Sequence, residues 1–101
     1  MGEEAMTSHQ WQRPASLTKA FAEAAADGRW LVVQAKAGAL LLGSLGLGPA
    51  ELSRLSSDGG DIATRRRLLD LMPGDWRRIE KNSGAHIVIE VRDLGSVGDT
   101  L

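Results

Sequence analysis

The order of hydrophobic patterns between Pro49 and Leu94 is the feature that most restricts how this chain can fold. Two short helical patterns come first, and two patterns with strand-like alternation follow them, joined by Asn82-Ser83-Gly84. Pro49 suits the first position of a helix, where its missing N–H is not needed. Pro73-Gly74 ends the second helical pattern. We therefore expect two helices followed by a C-terminal β-hairpin, with Trp76–Lys81 and His86–Val91 as its strands.

The clearest helix lies earlier in the chain, between Pro14 and Gly28. Its apolar residues recur at helical spacing, at Leu17, Ala20, Phe21 and Ala24. Ser16 is placed to cap its first turn, and Asp27-Gly28 is a stop signal. We expect residues 1–14 to be a flexible tail, residues 15–94 to form a single globular domain, and residues 95–101 to be a second tail.

The apolar run from Trp30 to Leu47 is compatible with two different structures. Trp30–Val33 indicates a short strand, and a turn at Lys36-Ala37-Gly38 could lead into a second strand over 39–45. The alternative is one buried helix that ends at Gly43. Periodicity does not separate these alternatives for an apolar run. Alanine and leucine have high helix propensity, which favours a helix over Ala35–Leu42.

Charge is balanced over the whole chain but unevenly distributed. Twelve basic and thirteen acidic residues give a net charge of −1, and there is no cysteine. Between Ile62 and His86, however, six basic residues face only three acidic ones. This segment therefore carries +3 and the remainder −4. A local basic surface is the electrostatic feature on which nucleic-acid binding depends.

The segment from Pro49 to Leu94 resembles winged helix-turn-helix DNA-binding domains. Pro49–Leu55, which reads PAELSRL, is similar to the positioning helix of that family. Ala63–Leu71 is similar to its recognition helix, and Glu90–Leu94 is similar to the strand that leaves the wing. The resemblance implies an α+β fold that is winged-helix-like, a small helical domain with a C-terminal β-hairpin. It also implies that double-stranded DNA is a partner.

In such a domain the second helix lies in the major groove, which here brings Arg65, Arg66 and Arg67 to the DNA. We place Asp61 as the N-cap of this helix. Helical spacing turns Arg66 and Arg67 outward, where they can hold guanine or phosphate groups. Arg65 lies nearer the apolar face and would reach a phosphate or pack its stem over the core edge. A solvated helix face is the alternative interpretation.

The hairpin of a winged helix also contacts DNA, at its tip. Arg78, Lys81 and Asn82 would make these phosphate contacts. The alternative is that these charges keep an exposed strand from pairing with other chains. The nucleic-acid site expected from the sequence therefore has six residues: Arg65, Arg66, Arg67, Arg78, Lys81 and Asn82.

No other function class has a comparable pattern. The serines lack a histidine and a carboxylate at recognisable spacing, and no phosphate-binding loop follows the glycines. We expect no enzyme, no metal site and no cofactor. The start of the chain lacks the pattern of a secretory signal and no run is apolar enough for a membrane span, so we expect a cytoplasmic protein.

Two functions remain as expectations. The first is DNA binding by a small bacterial or phage regulator. The second is protein interaction without nucleic acid, as in an adaptor, immunity or phage accessory protein, which the near-neutral charge favours. The apolar run at residues 30–47 exceeds the needs of so small a domain, so we expect a homodimer or a protein partner to use it or the N-terminal helix.

Overall fold

A computed structural model describes residues 10–84 and 86–96 of the chain. The α+β class expected from the sequence is confirmed. The elements follow one another along the chain as α1 (Leu17–Ala26), β1 (Trp30–Ala37), β2 (Leu40–Leu47), α2 (Pro49–Leu55), α3 (Gly60–Asp70), α4 (Trp76–Ser83) and β3 (Val88–Gly95).

The apolar run at residues 30–47 forms a β-hairpin, so the helix expected over Ala35–Leu42 is wrong. Strands β1 and β2 pair antiparallel and are joined by the two residues Gly38-Ala39, since Ala37 lies opposite Leu40. Gly38 has a φ of 61°, and no residue other than glycine has a positive φ among the described residues. A positive φ at the first turn position alone is the pattern of a type II′ turn, which matches the twist of the flanking strands.

Alternation along β1 explains why tertiary structure overrides the helix propensity of its alanines. Leu31, Val33, Ala35 and Ala37 are buried on one face of the sheet, whereas Gln34 and Lys36 lie on the other. This two-residue period places every polar residue of the strand outside the core, which a helix over the same residues would not do.

The C-terminal hairpin expected from the sequence is also wrong, because Trp76–Ser83 is helix α4 rather than a strand. The Asp75 side chain caps this helix by accepting a hydrogen bond from the backbone N–H of Arg78, at 3.3 Å. Gly84, with a φ of 67°, ends the helix instead of forming a hairpin turn. The final strand β3 pairs with β1, so the sheet has the order β2-β1-β3 with antiparallel neighbours.

The four helices cover one face of this sheet. Apolar residues from every element meet there, and the largest fully buried side chains are Phe21, Leu52, Leu68, Leu69, Ile87 and Val33. The same hydrophobic core also includes Leu17, Ala24, Trp76 and Val91. None of the helices in the described ranges is long and apolar enough to cross a membrane.

Helix α1 is held to helix α3 by polar contacts at its start. Ser16 caps α1 as expected, by accepting from the backbone N–H of Lys19 at 3.1 Å. Asp61 is not the N-cap of α3, since that helix begins at Gly60. Its carboxylate instead accepts from the Ser16 hydroxyl at 2.9 Å and from the Thr18 backbone N–H at 3.0 Å. These hydrogen bonds hold the pKa of Asp61 below its usual value, and the bond from Thr18 has the largest effect.

Part of the segment expected to be an N-terminal tail lies against β3. Gln12 exchanges two backbone hydrogen bonds with Val91, at 2.9 and 2.8 Å. The guanidinium of Arg92 lies 4.8 Å from the ring centroid of Trp11. Residues 1–9 and 97–101, the rest of the two expected tails, lie outside the described residues.

The hairpin turn yields a stability prediction. Gly38→Ala is expected to lower the free energy of unfolding by about 1 kcal/mol, because an L-residue is disfavoured at the positive φ of that position. Gly46→Ala, in β2, is the matched control, because Gly46 has no positive φ and open space around its Cβ position. It should leave stability unchanged or raise it slightly, in urea unfolding. Equal losses in both variants would contradict the turn assignment.

Candidate functional site

Arg65, the first of the predicted DNA contacts, is engaged inside the domain. Its guanidinium donates to the carboxylate of Glu80 at 2.6 Å and to the backbone carbonyl of Ile87 at 3.2 Å. It also lies 5.7 Å from the ring centroid of Trp76. Arg65 thus joins α3 to α4 and to the start of β3, and less than a quarter of its side chain is exposed.

Arg67 has a structural role of its own. Its guanidinium donates to the backbone carbonyl of Leu55 at 3.0 Å, at the C-terminal end of α2. The last carbonyls of a helix have no partner within the helix, and a basic side chain placed there satisfies one of them. Two of the three arginines expected to face DNA therefore hold the helices together.

The other four predicted residues are exposed. Arg66 lies on α3, and Arg78, Lys81 and Asn82 lie on α4. Within the described residues, none of the three cations among them forms an ion pair with a carboxylate. Arg77, beside them on α4, differs. Its guanidinium stacks on Trp76 at 4.4 Å and lies 3.5 Å from Asp70.

Glu80 is the residue on which several of these contacts converge. One of its carboxylate oxygens accepts from the backbone N–H of Ile87 at 3.0 Å and from Arg65, and it lies 3.1 Å from Nδ1 of His86. The hydrogen bond from Ile87 and the charge of Arg65 hold the pKa of Glu80 below its usual value, against the effect of partial burial. Sequence reasoning missed this role.

A shallow groove of about 400 Å³ lies beside this cluster, between the N-terminal segment and the start of β3. Its charged lining consists of Arg13, Arg65, His86 and Asp61. The first three each lie within 4 Å of a carboxylate, and Asp61 accepts hydrogen bonds from Ser16 and Thr18. Each charged group of the groove is thus already engaged by other groups of the protein. Among residues 10–84 and 86–96, no group of three His, Asp or Glu is placed to hold a metal ion.

The two edges of the sheet differ sharply. At β3, Gln12 pairs with the outer edge, and Glu90 is surrounded by polar groups, with Gln34 donating to it at 2.7 Å and Arg13 lying 3.5 Å away. At β2, no strand of the described chain pairs with the outer edge. This free edge of β2 is the least protected hydrogen-bonding surface in the described structure.

The free edge of β2 is also apolar. No charged residue occurs between Lys36 and Glu51, and the strand reads LLLGSLGL. Leu40 and Leu41, at its start, are 56% and 52% exposed. Trp30 begins the neighbouring strand β1, beside the other end of β2. It is 39% exposed, and its ring lies over Gly48. Sequence reasoning expected this run to take part in association but did not identify it as a strand edge.

Only part of β2 carries an irregularity that would hinder pairing. The register with β1 shifts between Ala35 and Lys36, so that Leu42 has no partner of its own. From Gly43 to Leu47 the pairing is regular. On the inner face, Gly43 lies against Met72 and Pro73, which fixes this part of the strand to the link between α3 and α4.

Comparisons with known proteins add no assignment. No family model matches this chain, and neither the curated proteins nor the solved structures include a significant match.

The contacts of Glu80 with Arg65, Ile87 and His86 yield a prediction about how stability depends on pH. Glu80→Gln is expected to lower the free energy of unfolding near neutral pH by about 1–2 kcal/mol, because it removes the charge that Arg65 and the Ile87 N–H contact. The folded-state pKa is lowered, so the contribution of the carboxylate is fully present above the unfolded-state pKa of about 4.3. It is lost as the pH falls through the folded-state value.

The measurement is urea unfolding of both proteins between neutral pH and acid. The difference between them should stay constant above about pH 5 and shrink in acid. Glu51→Gln is the control, because that carboxylate is half exposed and lies 4.0 Å from its only charged neighbour, Arg54. A difference that persists unchanged in acid would show that Gln at position 80 acts through packing alone.

Proposed function

We propose that this chain is a protein-interaction module that binds by strand addition at the free edge of β2. The observation that carries this proposal is the combination of an unpaired edge with the absence of charge over its whole length. Proteins protect such edges with lysine, proline or a covering segment. Strand β2 has no lysine and no proline, and its one bulge lies near the hairpin turn.

The chemistry of such an edge favours an extended polypeptide as partner. Unpaired backbone N–H and C=O groups along β2 bind another backbone in the same pattern as the strands of the sheet. Side chains on alternate residues of the added strand would lie beside Leu41 and Ser44 on the outer face, since these residues pair with the outward Lys36 and Gln34. Exposed leucines add hydrophobic area to the backbone contacts.

Selection from a displayed library of random linear octapeptides, with the full chain as bait, tests this proposal. Enriched peptides are expected to be apolar at alternate positions and free of proline. Ser44→Lys should weaken the binding of these peptides at least tenfold, because it places a charge at the edge. Ile62→Lys is the matched control, because Ile62 is 68% exposed on α3, outside the sheet, and it should leave binding unchanged. No enrichment, or equal losses in both variants, would contradict the proposal.

DNA binding is the second candidate function. It is supported by Arg66, Arg78 and Lys81, which are exposed and have no carboxylate partner among the described residues. It is weakened by Arg65 and Arg67, whose guanidiniums make contacts inside the domain. It is also weakened by the helical conformation of Trp76–Ser83, where the resemblance to winged helices required a wing strand.

Fluorescence anisotropy with a labelled random-sequence duplex tests this second candidate. Three phosphate contacts predict that log affinity falls with log salt concentration with a slope of about −3. The variant with alanine at positions 66, 78 and 81 should lose this binding, whereas Arg54→Ala should retain it. Absence of binding at low salt would remove DNA from consideration.

A further inference from the structure

We infer that the strand added to β2 is β2 of a second copy of this chain. The two strands would pair antiparallel about a twofold axis at Ser44, so that Ser44 of one copy lies opposite Ser44 of the other, and two three-stranded sheets would join into one of six strands. This inference rests on the proposed function, because it uses the same free edge, and it names the partner.

The charge of β2 permits self-pairing. In an antiparallel pair of identical strands, a charged residue near the twofold axis lies opposite or close to its own copy, and like charges so placed are destabilising. The stretch between Lys36 and Glu51 carries none, so two copies can approach along the whole edge without repulsion. A twofold pair also uses the same surface patch on both copies, which is the commonest form of protein association.

The positions of the exposed apolar side chains favour a second copy in particular. Leu41 lies at the start of β2 on the outer face of the sheet, where it pairs with Lys36. Trp30 lies at the opposite end, and three of its ring atoms are within 3.0 Å of where a Cβ on Gly48 would be. The ring therefore reaches across the end of β2 towards the free edge.

Antiparallel self-pairing brings these two ends together. It places the start of one β2 beside the end of the other, so that Leu41 of one copy lies next to Gly46 and Gly48 of its partner. Nothing lies within 4 Å of where a Cβ on Gly46 would be, which leaves room for Leu41 to contact the edge of the partner's Trp30 ring, which already covers Gly48. The twofold axis repeats this contact, so one arrangement covers both of the exposed apolar sites at the sheet edge.

Sedimentation velocity over a range of concentrations is the first test. The wild-type chain is expected to shift from monomer to dimer as its concentration rises, because a short edge interface gives moderate affinity. Leu41→Lys should raise the dimer dissociation constant at least tenfold, because it introduces a charge on each side of the axis. Ile62→Lys, an equally drastic change at an exposed residue outside the sheet, should leave it unchanged.

Disulfide cross-linking tests the geometry. The chain has no cysteine, so a single one can be introduced without competing thiols. Residues directly opposite in an antiparallel pair have Cα atoms about 5 Å apart, which is within the reach of a disulfide. Ser44→Cys is therefore expected to form a covalent dimer with oxidised glutathione, and Ser53→Cys, on α2, should not.

The outcomes separate this inference from the proposed function. A wild-type chain that stays monomeric at high concentration overturns the second copy as partner, and octapeptide binding blocked by Ser44→Lys would then keep β2 as a site for a different protein. A dimer that tolerates Leu41→Lys and does not cross-link through Ser44→Cys uses another surface, and it also overturns the inference. If the wild-type chain neither self-associates nor binds peptides, the edge of β2 is not a binding site and both proposals are wrong.

Discussion

The entry to β3 is held by the Glu80 carboxylate. Three helices separate β2 from β3, and the chain must return from them to the far side of β1. Glu80 lies at the end of this connection and accepts the backbone N–H of Ile87, one residue before β3 begins. Arg65 fixes the same turn by donating to the carboxylate and to the Ile87 carbonyl. This ion pair thus fixes the turn that leads into β3, which pairs with β1 on the side opposite to β2.

Several charged residues join separate elements of the fold. Asp61 and Glu80 tie helices to neighbouring elements, and Glu90 accepts from Gln34 across β1 and β3. The N-terminal segment adds Gln12 to the outer edge of β3. Strand β2 contains no charged residue, and within the described residues no ion pair involves it. One edge of the sheet is thus bridged at Val91, whereas no described segment pairs with the other.

Local signals in the sequence were sufficient to predict an element where a cap or a helix start had only one interpretation. Ser16 before an amphipathic pattern and Pro49 at a helix start predicted α1 and α2 correctly, and the alternation around Ile87 and Val91 predicted a strand. The sequence failed where local signals are ambiguous. Trp76–Ser83 can be seen as alternation, but Asp75 as a cap and Gly84 as a stop also define a helix, and the structure has the helix. Propensity favoured a helix at Ala35–Leu42, and pairing with β3 overrode it.

The candidate site was harder to predict than the fold, because partner choice by arginine is a tertiary property. In sequence, helical spacing separates Arg65 from Arg66 and Arg67 but identifies no partner for any of them, yet one binds Glu80, one contacts the end of α2 and one stays exposed. The uncharged run of leucine and glycine behaves in the opposite way. The sequence showed more apolar residues in this run than the core of a small domain needs. In the structure the excess lies at a sheet edge rather than on a helix face. If the edge is the interaction site, then the absence of charge that made the run ambiguous is also what lets another strand approach it.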